Sequence, residues 1–256
     1  MTQRLVLASV VAALAVGVLV APGRADEHKA GPPSPGSAPA RLPPASDADH
    51  EATLRLHMHG NYDLVRAIER LLVRGKLEDA ARFATAIAEV PDAPAHGSYA
   101  AQAVLVRDRA AAIVRATTVE QACKLEAKLA AACGGCHVDA GVVPAMRALP
   151  PAPPDVQTLD GRMARHRWAA DRLWEGIVIG ADEPWRAGLD VLAAAPFDWG
   201  DRARQRATLA RDLQRLADTA RKLGPSLDTR ATSYGELLAT CAACHTLGPA
   251  PAAPKK

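Results

Sequence analysis

Two short stretches of this chain combine side chains that can do chemistry: CGGCH at 133–137 and CAACH at 241–245. Each places two thiols three residues apart and an imidazole directly after the second thiol. Thiols and imidazoles at this spacing occur in zinc sites, in redox-active dithiols and at attachment points for haem. The chain has five cysteines, and the two stretches hold all but Cys123. This distribution disfavours an ordinary disulfide scaffold.

Attachment of haem accounts for the pattern best. In C-x-x-C-H the two cysteines form thioether bonds along one edge of the porphyrin, and the next residue brings its imidazole to the iron as the proximal ligand. A zinc ribbon usually separates its two C-x-x-C pairs by about 15–20 residues, whereas Cys241 follows Cys133 by 108 residues. A thioredoxin-like dithiol lies in a βαβ setting, and the sequence shows no strand pattern.

The pattern therefore predicts two covalently attached haem c groups. The first is expected on Cys133 and Cys136 with His137 as proximal iron ligand, and the second on Cys241 and Cys244 with His245 as proximal iron ligand. Cys123 is predicted to be a buried small side chain rather than a redox thiol. No catalytic residue is predicted.

The two pentapeptides close two copies of one sequence unit. At an offset of 105 residues, Met58 aligns with Met163 and Gly75 with Gly180, and apolar positions between them also match. Three more residues are gained before the second pentapeptide, so the offset there is 108. Both units are rich in Ala, Leu, Arg and Glu, which favours helices. We predict an all-α chain of two tandem four-helix bundles, each with a C-terminal CxxCH haem site.

Glycine and proline residues divide each unit into four predicted helices. These are 48–74, 76–90, 97–116 and 118–137 in the first unit, and 158–179, 182–194, 199–223 and 227–245 in the second. In the first helix, apolar residues from Leu54 through Met58 and Tyr62 to Leu72 follow helical spacing, which predicts one inward face.

The N-terminal sequence predicts an exported protein. Arg4, the apolar run 5–20 and the small residues before Ala25 form a signal-peptide pattern with cleavage after Ala25; an uncleaved membrane anchor is the alternative. The predicted organisation is a signal peptide at 1–25, a Pro-rich disordered tether at 26–46, haem-binding bundles at 47–147 and 157–250, a Pro-rich linker at 148–156 and a tail at 251–256. A periplasmic or otherwise exported location suits haem c, because bacterial cytochrome c maturation takes place outside the cytoplasm.

The charge of the chain argues against some classes of partner. The formal net charge is +3, and removal of residues 1–25 takes away Arg4 and Arg24, which leaves about +1. A nearly neutral protein is a poor candidate for binding nucleic acid or a strongly anionic surface.

With a pentapeptide at the end of each four-helix unit, the arrangement resembles the class II c-type cytochromes, that is, the cytochrome c′ bundles and their low-spin relatives, here in a tandem di-haem form. KLAAACGGCH (128–137) and ELLATCAACH (236–245) carry the resemblance, with Met58 and Met163 at the matching first-helix position. The resemblance implies that this methionine ligates the iron in low-spin members and that the site stays open in cytochrome c′. It also implies that a homodimer can form.

Several side chains compete for the distal position of each haem. The chain has no methionine after Met163, so a methionine ligand for the second haem must come from upstream of its pentapeptide. His166 lies three residues after Met163, and His57 and His59 flank Met58. We predict Met58 and Met163 as distal ligands, with a histidine or an open site as the alternatives.

Two haems on one chain favour electron transfer. The predicted function is an electron carrier rather than an enzyme, which meets its redox partner proteins in weak, transient encounters. The alternative is a cytochrome c′-like protein whose open distal site binds CO or NO. A peroxidase-type enzyme is disfavoured because no distal acid–base pair stands out, His166 being the one candidate.

Overall fold

The computed structural model describes residues 47–90, 100–144, 149–156, 158–194 and 203–248. Within these ranges the chain is helical and has no strand, which confirms the predicted all-α class. The predicted signal peptide, tether and tail lie outside the described residues. None of the described helices combines the length and the apolar character that crossing a bilayer requires.

Eight helices fill the described ranges. They are α1 (Asp47–Val73), α2 (Leu77–Ala88), α3 (Ala100–Val114), α4 (Val119–Asp139), α5 (Leu159–Val178), α6 (Asp182–Leu192), α7 (Arg204–Lys222) and α8 (Leu227–His245). Wherever the described residues include a predicted helix end, prediction and structure agree to within one or two residues.

Side-chain caps and glycines set several of these ends. The hydroxyl oxygens of Thr118, Thr158 and Ser226 accept hydrogen bonds from backbone N–H groups three residues later, which caps the first turns of α4, α5 and α8. Gly75 and Gly180 have positive φ angles just after α1 and α5, a backbone conformation that favours glycine and ends a helix.

The helices of each repeat pack against their neighbours, and the repeats also pack against each other. In the first repeat α1 and α3 each contact α2 and α4; in the second, α5 and α7 each contact α6 and α8. The most extensive contacts between the repeats are α4 with α8, α4 with α5 and α1 with α8, and α1 also contacts α5 through the Arg66–Asp171 pair. The described residues from 47 to 248 belong to one compact unit with a continuous apolar core.

The α4–α8 pair lies at the centre of the contact between the repeats. A run of buried alanines in α4, including Ala127 and Ala130, lets α8 approach closely. Cys136, near the C-terminal end of α4, lines the same cavity as Leu227, the first residue of α8. The two helices therefore run in opposite directions, and their pentapeptides lie at opposite ends of the pair.

The inward face predicted for α1 is buried over only half of its length. Val65, Ile68 and Leu72 are buried as predicted, whereas Leu54, Met58 and Tyr62 are 39–42 % exposed. At about 1.5 Å per residue, the 27 residues of α1 extend over about 40 Å and the 12 residues of α2 over about 18 Å. The N-terminal part of α1 therefore extends beyond its neighbour α2.

The described part of the predicted linker, 149–156, lies against α5. The indole N–H of Trp168 donates to the carbonyl oxygen of Pro150, and the Arg165 guanidinium donates to that of Pro153, each at 2.6 Å. Proline-rich backbone has free carbonyl oxygens because it lacks N–H groups to pair with them. These hydrogen bonds hold the segment along the N-terminal half of α5.

Replacement of Arg230 by methionine is expected to lower the free energy of unfolding by about 3 kcal/mol. The Arg230 side chain is 2 % exposed, donates to the carbonyl oxygens of Gly176 (2.7 Å) and Ala181 (2.9 Å), and pairs with Asp182. Its loss removes a buried hydrogen bond to Gly176 and a partly buried one to Ala181. Denaturant unfolding of the two proteins measures the difference.

Arg186→Met is the matched control for this prediction. Arg186 approaches the same carboxylate at 3.5 Å, but its side chain is 73 % exposed. An exposed ion pair contributes little, so the control is expected to change stability by less than about 0.5 kcal/mol. Equal losses in the two variants would show that the buried hydrogen bonds of Arg230 do not stabilise the fold.

Candidate functional site

Each pentapeptide forms the C-terminal end of a long helix. Cys133, Cys136 and His137 lie in the last turns of α4, and the corresponding residues of the second repeat lie in the last turn and a half of α8. Residues at positions i, i+3 and i+4 share one side of a helix. The structure therefore brings both thiols and the imidazole of each pentapeptide to one helix face.

The His137 imidazole is held by the other repeat. Its Nδ1 lies 2.8 Å from the carbonyl oxygen of Val178, the last residue of α5. A carbonyl only accepts, so Nδ1 is the donor in this hydrogen bond, and Nε2 is the ring nitrogen outside it. The last carbonyls of a helix have no partner within the helix, which makes Val178 an available acceptor. A histidine fixed in this way at one ring nitrogen is oriented to bind a metal through the other.

Gly134 permits this approach of α4 to α5. A Cβ atom at Gly134 would overlap with the carbonyl oxygen of Ile177, one residue before Val178. At Gly135 a Cβ atom would have no neighbour within 4 Å. The first of the two central glycines in CGGCH is therefore required by packing, and the second is not.

The same kind of contact occurs at the end of α8. A Cβ atom at Gly180 would touch Val138, which follows His137, and a Cβ atom at Gly75 would touch Thr246, which follows His245. The two contacts are equivalent under the sequence repeat. Each pentapeptide thus abuts the first interhelical turn of the opposite repeat, an exchange that the sequence did not predict.

The four thiols of the pentapeptides are held in their neutral form. Burial, with a smaller effect of Cys136, raises the pKa of Cys133 to about 12, and burial with Cys244 raises that of Cys241 to about 12. Burial also raises the pKa values of Cys136 and Cys244. A redox-active dithiol uses a thiolate with a lowered pKa, so this environment does not favour that interpretation.

A cavity of about 630 Å³ opens beside the first pentapeptide. It lies between α3, the C-terminal half of α4 and the first turns of α8, and Cys136 is on its wall. Its other lining residues include Leu105, Arg109, Lys128, Ala132 and Leu227. The wall combines apolar side chains with two cations, Arg109 and Lys128, and two carboxylates, Asp139 and Asp228. Of the side chains of CGGCH that would hold a haem, Cys136 lines this cavity, whereas Cys133 and His137 are not on its wall.

The predicted distal residues differ between the repeats. Met58 is 39 % exposed, and Met163 is partly buried. The His57 ring lies 3.1 Å from the side-chain amide of Asn61, and His59 is exposed.

In the second repeat, His166 is the candidate that interacts with His245, the predicted proximal ligand. Burial, followed by the charges of Arg162 and His245, lowers the pKa of His166 to about 4. His166 is therefore a neutral imidazole within electrostatic range of His245, whose own pKa is lowered by burial. A neutral imidazole is the form that binds a metal.

Cys123 is buried in α4, as predicted. Burial raises its pKa well above the ordinary range, with a further contribution from Glu126. It behaves as a small apolar side chain in the contact between the repeats.

Comparison with known proteins found no matching family model, no matching curated protein and no matching solved structure. Among the described residues, no group of three or more His, Cys, Asp and Glu side chains is placed to hold a metal ion.

Proposed function

We propose that this chain is an exported di-haem c-type cytochrome that carries electrons, a tandem form of the class II arrangement with two four-helix bundles. The observation that supports this most directly is the hydrogen bond between His137 Nδ1 and the carbonyl oxygen of Val178. It orients an imidazole on the helix face that also carries two thiols, and the pattern returns on the antiparallel helix α8.

The residues proposed to hold haem divide into three roles. Cys133, Cys136, Cys241 and Cys244 form the thioether bonds, His137 and His245 are the proximal ligands, and Met58 and Met163 are the proposed distal ligands, with His166 as the competing ligand in the second repeat. Bound haem iron supplies one-electron transfer. The chain contributes the orientation of His137 through Val178 and the apolar surroundings that hold each group.

The haem content of the matured protein tests this proposal. Produced with cytochrome c maturation machinery, the chain is expected to carry two covalent haems by intact mass and two low-spin haems by optical and EPR spectra. Cys133→Ala with Cys136→Ala is expected to lose one haem, because both thioether bonds at that site are removed. Cys123→Ala is the control and is expected to keep both. Loss of no haem from the double variant, or a chain that carries none, would overturn the proposal.

A gas-binding function is the second candidate, and two observations favour it for the first repeat. Met58 is 39 % exposed, and a cavity adjoins Cys136. Under this alternative Met58 does not hold the iron, so the wild-type protein takes up CO and Met58→Ala scarcely changes its spectrum. For the electron carrier we expect Met58→Ala to convert one haem to a high-spin, CO-binding form and to change its potential, with Met163→Ala as the matched variant of the second site.

A further inference from the structure

A polar cluster is buried where α1, α4, α5 and α8 meet. Its central members are two glutamates, Glu69 on α1 and Glu126 on α4, which are 5 % and 0 % exposed. Neither carboxylate was predicted from the sequence to be in the core. Two acidic side chains at such depth need an account of their charge, because an ionised carboxylate is poorly solvated there.

Glu69 has partners that stabilise its negative charge. The Tyr234 hydroxyl donates to Glu69 Oε1 at 2.8 Å, and the Arg66 guanidinium pairs with the other oxygen. Arg66 also pairs with Asp171 on α5, whose side chain is 30 % exposed. The charge of Arg66 is therefore shared between two carboxylates.

Glu126 has no such partner. Within the described part of the chain, neither of its oxygens accepts a hydrogen bond of normal geometry. The Trp174 indole N–H lies close enough to lower the pKa of Glu126, but this effect is smaller than those that raise it. Burial and the neighbouring Glu69 raise the pKa of Glu126 well above its ordinary range. Two carboxyl groups in one buried site cannot both ionise easily, so the pair binds one proton more tightly than an isolated carboxyl group does.

The pair lies between the two pentapeptides. Glu126 precedes Cys133 by seven residues on α4, and Tyr234, the partner of Glu69, precedes Cys241 by seven residues on α8. Seven helical residues extend over about 10 Å. Glu126 acts electrostatically on the Cys133 thiol, and Glu69 acts on the Cys241 thiol. Each carboxyl group is thus linked to one CxxCH site.

We propose that the Glu69–Glu126 pair is a proton-binding site whose proton is taken up when an electron enters either CxxCH site. This inference rests on the proposed function. The electron comes from a one-electron donor protein and lowers the positive charge of the site by one. The proton comes from solvent, binds a carboxylate oxygen of the pair and restores the charge balance inside the protein. Asp171, partly exposed and paired with Arg66, connects the cluster to the surface.

The charged and titratable groups of the cluster come from all four helices. They are Arg66, Glu69 and Arg70 on α1, Cys123, Glu126 and Cys133 on α4, Asp171 on α5, and Tyr234 and Cys241 on α8. Of these, the cations are the two arginines, and Arg66 is already paired with Glu69 and Asp171. Glu126 is the group in this set for which protonation is the simplest way to remain buried.

Two measurements on the matured protein test the site. The midpoint potentials are expected to fall as the pH rises through the range in which the pair titrates, because reduction raises its proton affinity. In Glu126→Gln this slope is expected to flatten and the potentials to exceed those of the wild type increasingly at higher pH. The reduced-minus-oxidised infrared spectrum is expected to show a protonated carboxyl band that Glu126→Gln removes.

Two further variants complete the test. Tyr234→Phe removes the hydrogen bond to Glu69 without changing charge, so the sloping range is expected to move to higher pH. Glu120→Gln alters an exposed glutamate of the same helix and is expected to leave slope and band unchanged. Potentials that are independent of pH, or an infrared band that survives in Glu126→Gln, would overturn the coupling. If the chain carries no haem, the proposed function and the coupling both fail. The infrared spectrum of the haem-free protein then shows, through the protonated carboxyl band, whether the pair binds a proton.

Discussion

Gly134→Ala is expected to lower the free energy of unfolding by about 3 kcal/mol and to disturb the first haem site. The added methyl group meets the Ile177 carbonyl oxygen, which belongs to the backbone of α5 and cannot rotate away. Overpacking of this kind typically costs about 1–3 kcal/mol, and contact with backbone lies at the upper end. Since α4 must then move away from α5, the hydrogen bond between His137 and Val178 is expected to lengthen or break.

Gly135→Ala is the matched control, because the same methyl group one residue later meets nothing within 4 Å. Alanine is a better helix former than glycine by about 1 kcal/mol, so this variant is expected to be slightly more stable than the wild type. Each substitution replaces one glycine by alanine, but the two are expected to change the free energy of unfolding in opposite directions. Denaturant unfolding measures both, and the spectrum of the first haem is expected to shift in Gly134→Ala alone.

Under the proposed function, alanine is compatible with thioether formation at the second pentapeptide. CAACH carries Ala242 and Ala243 at the positions of Gly134 and Gly135. A loss of stability in Gly134→Ala therefore reports on the contact with α5 and not on thioether formation. Equal stability of the two alanine variants would contradict the packing role assigned to Gly134.

The helices could be predicted because their signals are local. Thr118, Thr158 and Ser226 cap helices through groups only three residues away, and Gly75 and Gly180 end helices through their own backbone conformation. The internal repeat adds support, because Gly75 and Gly180, and likewise Thr118 and Ser226, occupy equivalent positions in the two units. Chain order and local chemistry were therefore sufficient for the all-α class and for most helix ends.

The contacts between the repeats could not be predicted in the same way. The acceptor for His137 lies on a helix 41 residues away in the chain, and nothing local distinguishes Gly134, which packs against α5, from Gly135. Glu126 lies among the buried alanines of α4. Hydrophobic periodicity assigns charged residues to the exposed face of a helix, so it did not predict that Glu126 is buried. The side chains that surround the Glu126 carboxyl group come from three other helices, α1, α5 and α8.

The repeat relation explains why polar groups gather at this place. Arg66 and Asp171 occupy equivalent positions at the offset of 105 residues, and they pair with each other. A residue that contacts its own equivalent lies close to an approximate twofold axis. At the same axis Glu69 corresponds to Trp174, and Tyr234 corresponds to Glu126. In one of these two equivalent pairs, Tyr234 donates a hydrogen bond to Glu69. In the other, Glu126 accepts no hydrogen bond of normal geometry from Trp174.

The pH dependence of stability offers a test of Glu126 that is independent of haem chemistry. The pKa of Glu126 is raised in the folded protein by burial and by Glu69. The stability linked to its proton is therefore fully present below its ordinary pKa of about 4.5 and is lost as the pH rises towards the folded value. One proton gives a slope of about 1.4 kcal/mol per pH unit. Glutamine is neutral at every pH, so Glu126→Gln is expected to remove this slope and to gain stability over the wild type from pH 5 upwards.

Glu120→Gln is the control on the same helix, because the pKa of Glu120 is shifted in the opposite direction to that of Glu126. A hydrogen bond from Lys124 lowers the pKa of Glu120, so its small contribution is present above the ordinary pKa of a glutamate and disappears as the pH falls. Urea unfolding at a series of pH values measures both variants against the wild type. A stability difference between Glu126→Gln and the wild type that does not change between pH 5 and pH 8 would show that Glu126 is ionised in the folded protein, and the proton would then have to be placed elsewhere.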